Sequence, residues 1–224
     1  MRLYEVACPV RFRFARRYFK KQRIKILDVG CGNHSPSITR RWFPDCDYHG
    51  VDIQEYNLTS ADYKAMNAFY KVASHNPDYS ALEDSSYDFI IANHVFEHMA
   101  TSEPVVQELC RKLRPGGLFW IAFPSMKSLE LPSATGTLQF CDDPTHVHIV
   151  DVREVANLLL ANGVEVLKGG RSTDLLRFGI GLFILPLELI RKLLFNRMSS
   201  RGLWYVLGFE DRVIGRRRAQ ALSG

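Results

Sequence analysis

Apolar positions along the chain fall into short runs that alternate with amphipathic stretches, the pattern of strands and helices taken in turn. Ile24, Ile26, Leu27 and Val29 are apolar and mostly branched, as a parallel strand buried on both faces requires. Residues 48–53 read as the next strand, 87–93 as a buried one and 118–124 as another. Val164-Glu165-Val166-Leu167 follows, and residues 204–214 read as a last strand or hairpin edge. Helices are expected over about 36–43, 103–113 and 151–162. Ser35 would cap the first, with Pro36 at its first helical position. Pro115 and Gly116 would end the second, with Gly116 or Gly117 able to take positive φ. Asp151 would cap the third, with Glu154 as its capping-box partner and Gly163 as its terminator.

The first strand runs directly into Asp28-Val29-Gly30-Cys31-Gly32. Two glycines after a buried strand let backbone approach a ligand where a Cβ would collide, and a helix follows at once. Strand, glycine turn and helix form the cofactor-binding corner of a doubly wound α/β sheet. Asp52 ends the next strand 22 positions beyond Gly30, where a carboxylate can accept hydrogen bonds from ribose hydroxyls. A dinucleotide fingerprint would carry its third glycine at position 35, where this chain has Ser35.

Four blocks in order carry a family resemblance: 27–32, 48–53, then 87–99 with its Glu97-His98 pair, and Leu113-Arg114-Pro115-Gly116-Gly117 leading into the apolar run 118–124. Together they resemble the class I S-adenosylmethionine-dependent methyltransferases, although many members place a third glycine where this chain has His34. The resemblance implies an α/β, doubly wound, mostly parallel seven-stranded sheet whose last strand is antiparallel, with helices on both faces. It implies cofactor contacts at Asp28, Gly30, Cys31, Gly32, Asp52, Ile53, Asn67, Ala68, Asn93 and His94. The implied reaction is methyl transfer from S-adenosyl-L-methionine to a small-molecule, glycan or lipid-linked acceptor, at oxygen. A nicotinamide-dependent oxidoreductase and a non-catalytic cofactor-binding protein of the same fold are the alternatives.

An oxygen acceptor of high pKa needs a base. Glu97 and His98 follow the fourth strand, and His146 and His148 lie in the polar loop before the helix at 151, so these four are the catalytic candidates. Residues at i and i+2 of an extended loop point to opposite sides, so at most one of His146 and His148 is expected to face the acceptor. Asp142, Asp143, His146 and His148 could also hold a cation. Asp-Asp-Pro is ordinary turn chemistry, however, and no metal is expected.

With 224 residues, a single domain uses nearly all of the chain. It divides into a basic amphipathic segment (1–23), a cofactor-binding core (24–170), a hydrophobic insertion before the last strand (171–203), and that strand with a basic tail (204–224). Five scattered cysteines show no pairing or zinc spacing and suit a reducing compartment. The basic beginning lacks the apolar core of a secretory signal, so a cytoplasmic protein is expected. Charge is uneven: residues 1–25 carry a net +8, residues 28–154 a net −9 and residues 155–224 a net +6. Two basic ends suggest an anionic surface, membrane or nucleic acid.

Patterning favours the membrane. Residues 178–187 form an uncharged apolar run of ten residues, half of the ~20 needed to span a bilayer. Arg191, Lys192, Arg197, Trp204 and Tyr205 follow, the mixture of an interfacial segment. Phe12, Phe14, Tyr18 and Phe19 interleave with Arg11, Arg13, Arg16, Arg17, Lys20 and Lys21 in the same manner. For residues 175–195 a helix packed over the sheet or against a second subunit is an equal reading; for the first segment the alternative, which the family resemblance implies, is an amphipathic helix covering the cofactor pocket. No RNA-binding module accompanies the charge, so nucleic acid is the weaker expectation.

Overall fold

The computed structural model describes residues 8–20, 22–131, 139–172 and 175–195, and beyond them 202, 205–206 and 208–219. In chain order the elements are α1 (Val10–Phe19), β1 (Lys25–Val29), α2 (Ser35–Trp42), β2 (Asp47–Asp52), α3 (Ser60–Ala65), β3 (Ala68–Lys71) and β4 (Tyr87–Asn93). Then come α4 (Glu103–Lys112), β5 (Leu113–Pro124), α5 (Val152–Ala161), β6 (Val164–Arg171), α6 (Leu175–Phe195) and β7 (Glu210–Arg217). The seven strands form one sheet in the order β3-β2-β1-β4-β5-β7-β6. Pairs from β3 to β5 are parallel, and β7 runs antiparallel to both neighbours. The doubly wound sheet with an antiparallel last strand is the architecture the resemblance implies. Its last strand begins later than the pattern suggested, because Tyr205 and Val206 are helical and pairing starts only at Glu210.

Each face of the sheet carries its own apolar layer. On one side Val105, Val106 and Leu109 of α4 and Val155 and Leu159 of α5 pack on Leu27, Ile90, Phe119 and Val213. On the other, Phe12, Ala15 and Phe19 of α1 and Trp42 of α2 pack on Ile26, Phe89, Ile91 and Trp120. The aromatics of the basic first segment therefore belong to the core, with Phe12 fully buried and its ring edge-on to Phe43 at 5.8 Å. Phe12 and Phe19 are thereby withdrawn from solvent, while Phe14 and Tyr18 pack against the same layer partly buried.

The anticipated capping box at α5 does not form. Asp151 accepts from the Arg153 amide (2.7 Å), while Glu154 turns to the Ser102 hydroxyl (3.3 Å) and to His148.

The hydrophobic insertion is helix α6, with Pro186 inside it. One side of it is held by the following segment. Glu188 is buried and accepts from the Gly202 amide (3.0 Å), and a Cβ on Gly181 would stand 2.8 Å from both Tyr205 and Val206. The outer side is bare: Phe183 is 81% exposed and Leu193 85%, with Leu187, Leu194 and Phe195 also open. Among the described residues no helix is long and apolar enough to cross a membrane. Lys21, Arg197 and Trp204 lie outside the described residues.

Candidate active site

Parallel strands deliver their carboxyl ends to one edge, where Val29, Asp52 and Asn93 stop and loops begin. Because β7 runs the other way, its first residue, Glu210, pairs with Pro124 and arrives at that same edge. The site is built here.

The glycine loop is shaped from beneath. Asp28 is buried and accepts from the hydroxyls of Ser35 (2.6 Å) and Tyr48 (2.7 Å). Burial pushes its carboxyl pKa upward against those two hydrogen bonds, which favour the anion. Helix α2 starts one residue earlier than the pattern suggested: its N-cap is His34, and Ser35 is already helical. Asn33 (φ 52°) and His34 (φ 59°) are both left-handed, so His34 adopts the conformation that a glycine there would take at less cost. Gly30 (φ 72°) is tied to the protein's own packing, since a Cβ there would lie 2.7 Å from Val95 Cγ2. At Gly32 a Cβ would meet the Tyr56 carbonyl at 2.9 Å. Cys31 points inward, fully buried, and burial raises its thiol pKa far above the ordinary range.

Asp62 fastens the loop's far end. Its buried carboxylate accepts from the Thr59 amide (2.8 Å) and hydroxyl (2.7 Å) and from the Ser37 hydroxyl (2.5 Å), and it faces His34 Nδ1 at 2.9 Å. Burial alone would raise its pKa. The hydrogen bonds from Ser37, His34 and Thr59 outweigh it and hold the carboxyl well below the usual range.

Asp52 ends β2 beside the loop and accepts from the Gly32 amide (3.0 Å) through Oδ2. Oδ1 meets only the Gln54 amide at 3.3 Å, so lone pairs remain for ribose hydroxyls. Ile53, next to it, is 46% exposed and offers an apolar surface at the same edge. These two residues suit an adenosine group. Asn67 and Ala68 do not join them. They stand at the amino end of β3, where Asn67 Oδ1 accepts from the Tyr48 amide (2.9 Å) and from Arg40 (2.9 Å). The strand begins, rather than ends, at that position, and its carboxyl end is Lys71.

After β4, His94 takes a left-handed turn (φ 57°) with its amide on the Ala122 carbonyl (2.8 Å). Its ring lies between two carboxylates, Nδ1 at 3.1 Å from Glu97 Oε1 and Nε2 at 3.3 Å from Glu210 Oε2. Burial would lower the imidazole pKa, but hydrogen bonds to Glu210 and Glu97 carry it up to about 10. The two carboxylates thus favour the imidazolium form of His94. Glu210 is absent from the expected site because a strand's sequence does not reveal which of its ends faces the ligand edge.

The loop before α5 folds over the turn at 96–98. The amides of Val147 (2.9 Å) and His148 (3.1 Å) both donate to the Glu97 carbonyl. The two histidines separate as their spacing implies: His146 stacks on His98 (centroids 4.9 Å apart), while His148 lies 3.4 Å from Glu154 on α5. One donor atom from each of Glu97, His98 and His146 lies within 4.8 Å of the others. Of the four catalytic candidates, three thus converge and His148 stands apart.

Comparison with known proteins identifies the family and the fold. A family model described as a methyltransferase domain matches residues 2–168. The chain is 29% identical over 104 residues to a sterol 24-C-methyltransferase of Candida albicans, covering 45% of this chain and 28% of that one. It is 24% identical over 151 residues to a ubiquinone biosynthesis O-methyltransferase of Hydrogenovibrio crunogenus, covering 62% and 61%. The chain thus spans about a quarter to three fifths of the length of these two relatives. In fold it is similar to phosphoethanolamine N-methyltransferase 2 of Haemonchus contortus, solved with S-adenosylhomocysteine (TM-score 0.62, 14% identity, 96% of this chain and 53% of that one). A nicotinamide-dependent oxidoreductase is no longer a reading of this sequence. The glycine loop, the Asp52 carboxylate and the four ordered blocks are those of an enzyme, and the chain belongs to the class I S-adenosylmethionine-dependent methyltransferases.

Proposed function

We propose that the protein methylates a hydroxyl oxygen on a small-molecule, glycan or lipid-linked acceptor of apolar character, at the inner surface of a membrane. S-adenosylmethionine supplies an electrophilic methyl group, so the protein has to align the acceptor, exclude water and remove a proton. Asp52 would hold the ribose and Ile53 the adenine. Glu97, His98 and His146 would activate the hydroxyl. The observation that carries this reading is their convergence over the carboxyl edge, on a loop pinned to the Glu97 carbonyl.

The apolar character of the acceptor rests on α6, which precedes the last strand in the chain, has a bare apolar outer side and carries Arg191 and Lys192 in its last turns. The named activities of two relatives, on a sterol and in ubiquinone biosynthesis, point the same way. The test is a methyl-label assay on membrane extracts. Label should enter an extractable lipid or glycolipid fraction, and His146→Ala or His98→Ala should lower kcat by about 10²–10⁴ with cofactor affinity nearly intact. Label confined to RNA or protein would reject the acceptor class.

A further inference from the structure

The three converging side chains have an arrangement of donors that proton removal alone does not require. His98 Nδ1 faces the Thr145 carbonyl (3.2 Å) and hydroxyl (3.0 Å), and that hydroxyl donates in turn to Asp143 Oδ1 (2.5 Å). His146 Nδ1 faces the Phe140 carbonyl at 2.8 Å. A ring nitrogen beside a carbonyl carries a proton, so in the neutral tautomer that this selects, the lone pair of each ring is on Nε2. His98 Nε2 has no hydrogen bond among the described residues, and His146 Nε2 has only Asp143 Oδ2 at 3.8 Å. Glu97 is fully buried; Oε1 meets His94, whereas Oε2 is buried with no hydrogen-bond partner among the described residues. A buried carboxylate oxygen without a partner is costly, and with both rings neutral the nearby ligand atoms of His98 and His146 are, like it, acceptors. Three acceptors this close together are a ligand set that a cation can bridge.

We propose that Glu97 Oε2, His98 Nε2 and His146 Nε2 bind one divalent first-row transition cation. Two imidazoles and one carboxylate suit Zn²⁺, Mn²⁺ or Fe²⁺ better than Mg²⁺, which takes oxygen ligands. The partners on Nδ1 of each ring are those that fix metal-ligating histidines: a backbone carbonyl for His146, and a carbonyl with a threonine relay to a carboxylate for His98. Donors around one cation at about 2.1 Å stand roughly 3.0–3.4 Å apart, so rotations of about an ångström close the 4.8 Å cluster. Three protein ligands leave positions open for an acceptor oxygen, and a hydroxyl bound to such a cation ionises at far lower pH. That use rests on the methyl-transfer reading; the binding site does not.

Cobalt(II) titration of the full chain after dialysis against chelator tests the site, read by visible absorption, with S-adenosylhomocysteine affinity and melting temperature measured alongside. Wild type should bind one equivalent with the spectrum of imidazole ligation, displaced by Zn²⁺. Glu97→Gln, His98→Ala and His146→Ala should each abolish that spectrum while cofactor affinity is kept. Thr145→Val, which leaves all three ligands in place, should weaken affinity about 10–100-fold. Cys141 is exposed nearby, and Cys141→Ser should change nothing. Absence of saturable binding in the folded wild type, or binding lost only in Cys141→Ser, overturns the site. Methyl transfer in a cobalt-insensitive, chelated enzyme would leave the methylation reading standing without the cation. Cobalt binding with no lipid-soluble label would do the reverse.

Discussion

Asp62 never reaches the site edge, yet the glycine loop depends on it. It ties His34 and Ser37 at the start of α2 to Thr59 at the start of α3. Asp62→Ala removes the acceptor for all of them and should cost about 2–4 kcal/mol at neutral pH, the range for breaking a buried hydrogen-bond network. Because its folded pKa is depressed, its contribution is complete above the unfolded value near pH 4 and is lost as pH falls below it. Denaturant unfolding of wild type and variant should therefore give stabilities that draw together below about pH 4; a constant gap down to pH 2 would refute the assignment. Asp52 acts on the ligand side. Asp52→Ala should weaken S-adenosylhomocysteine binding by about 1.5–3 kcal/mol, measured by titration calorimetry, with little loss of global stability. Unchanged affinity would remove Asp52 from the ribose site.

Helices α1 and α6 look alike in sequence, since both mix aromatics or aliphatics with arginine and lysine, and the fold treats them in opposite ways. Helix α1 seats Phe12, Ala15 and Phe19 on the sheet, so Phe12→Ala should cost about 3–5 kcal/mol in denaturant unfolding. Helix α6 leaves Phe183 and Leu193 in solvent, so replacing both with Ser should leave stability within about 0.5 kcal/mol. The same double variant should lose co-sedimentation with anionic vesicles, with little change in salt dependence, because apolar burial is not screened. A large loss of stability instead would mean that α6 is covered within the protein or by a second copy. Which helix would be buried was not legible: periodicity shows that a face is apolar but not what it meets. The central strands were legible because β1, β4 and β5 are buried on both faces and read as unbroken apolar runs. Strand β3 is short and half-buried, with only four residues, and its direction relative to Asn67 left no mark in the pattern.

At the scale of the whole molecule the site is assembled from distant pieces: the loop after β1, the end of β2, the turn after β4, the loop before α5 and the start of β7. The first three follow motifs and could be read from sequence. The convergence of His98 with His146 could not, because it depends on a loop closing across nearly fifty residues onto the Glu97 carbonyl. Glu210 depends on a reversal of strand direction and is further still from any local signal. That reversal has a consequence for the order in which the protein matures. On the ribosome all of β1 to β5, and His94 with Glu97, are made before the Glu210 carboxylate that His94 faces in the finished fold. The second carboxylate comes only with β7, which slots between two strands made long before it. A polypeptide interrupted before residue 210 would carry the glycine loop in its sequence but lack the Glu210 carboxylate that His94 faces and the buried Val213 and Ile214 that join β5 to β6.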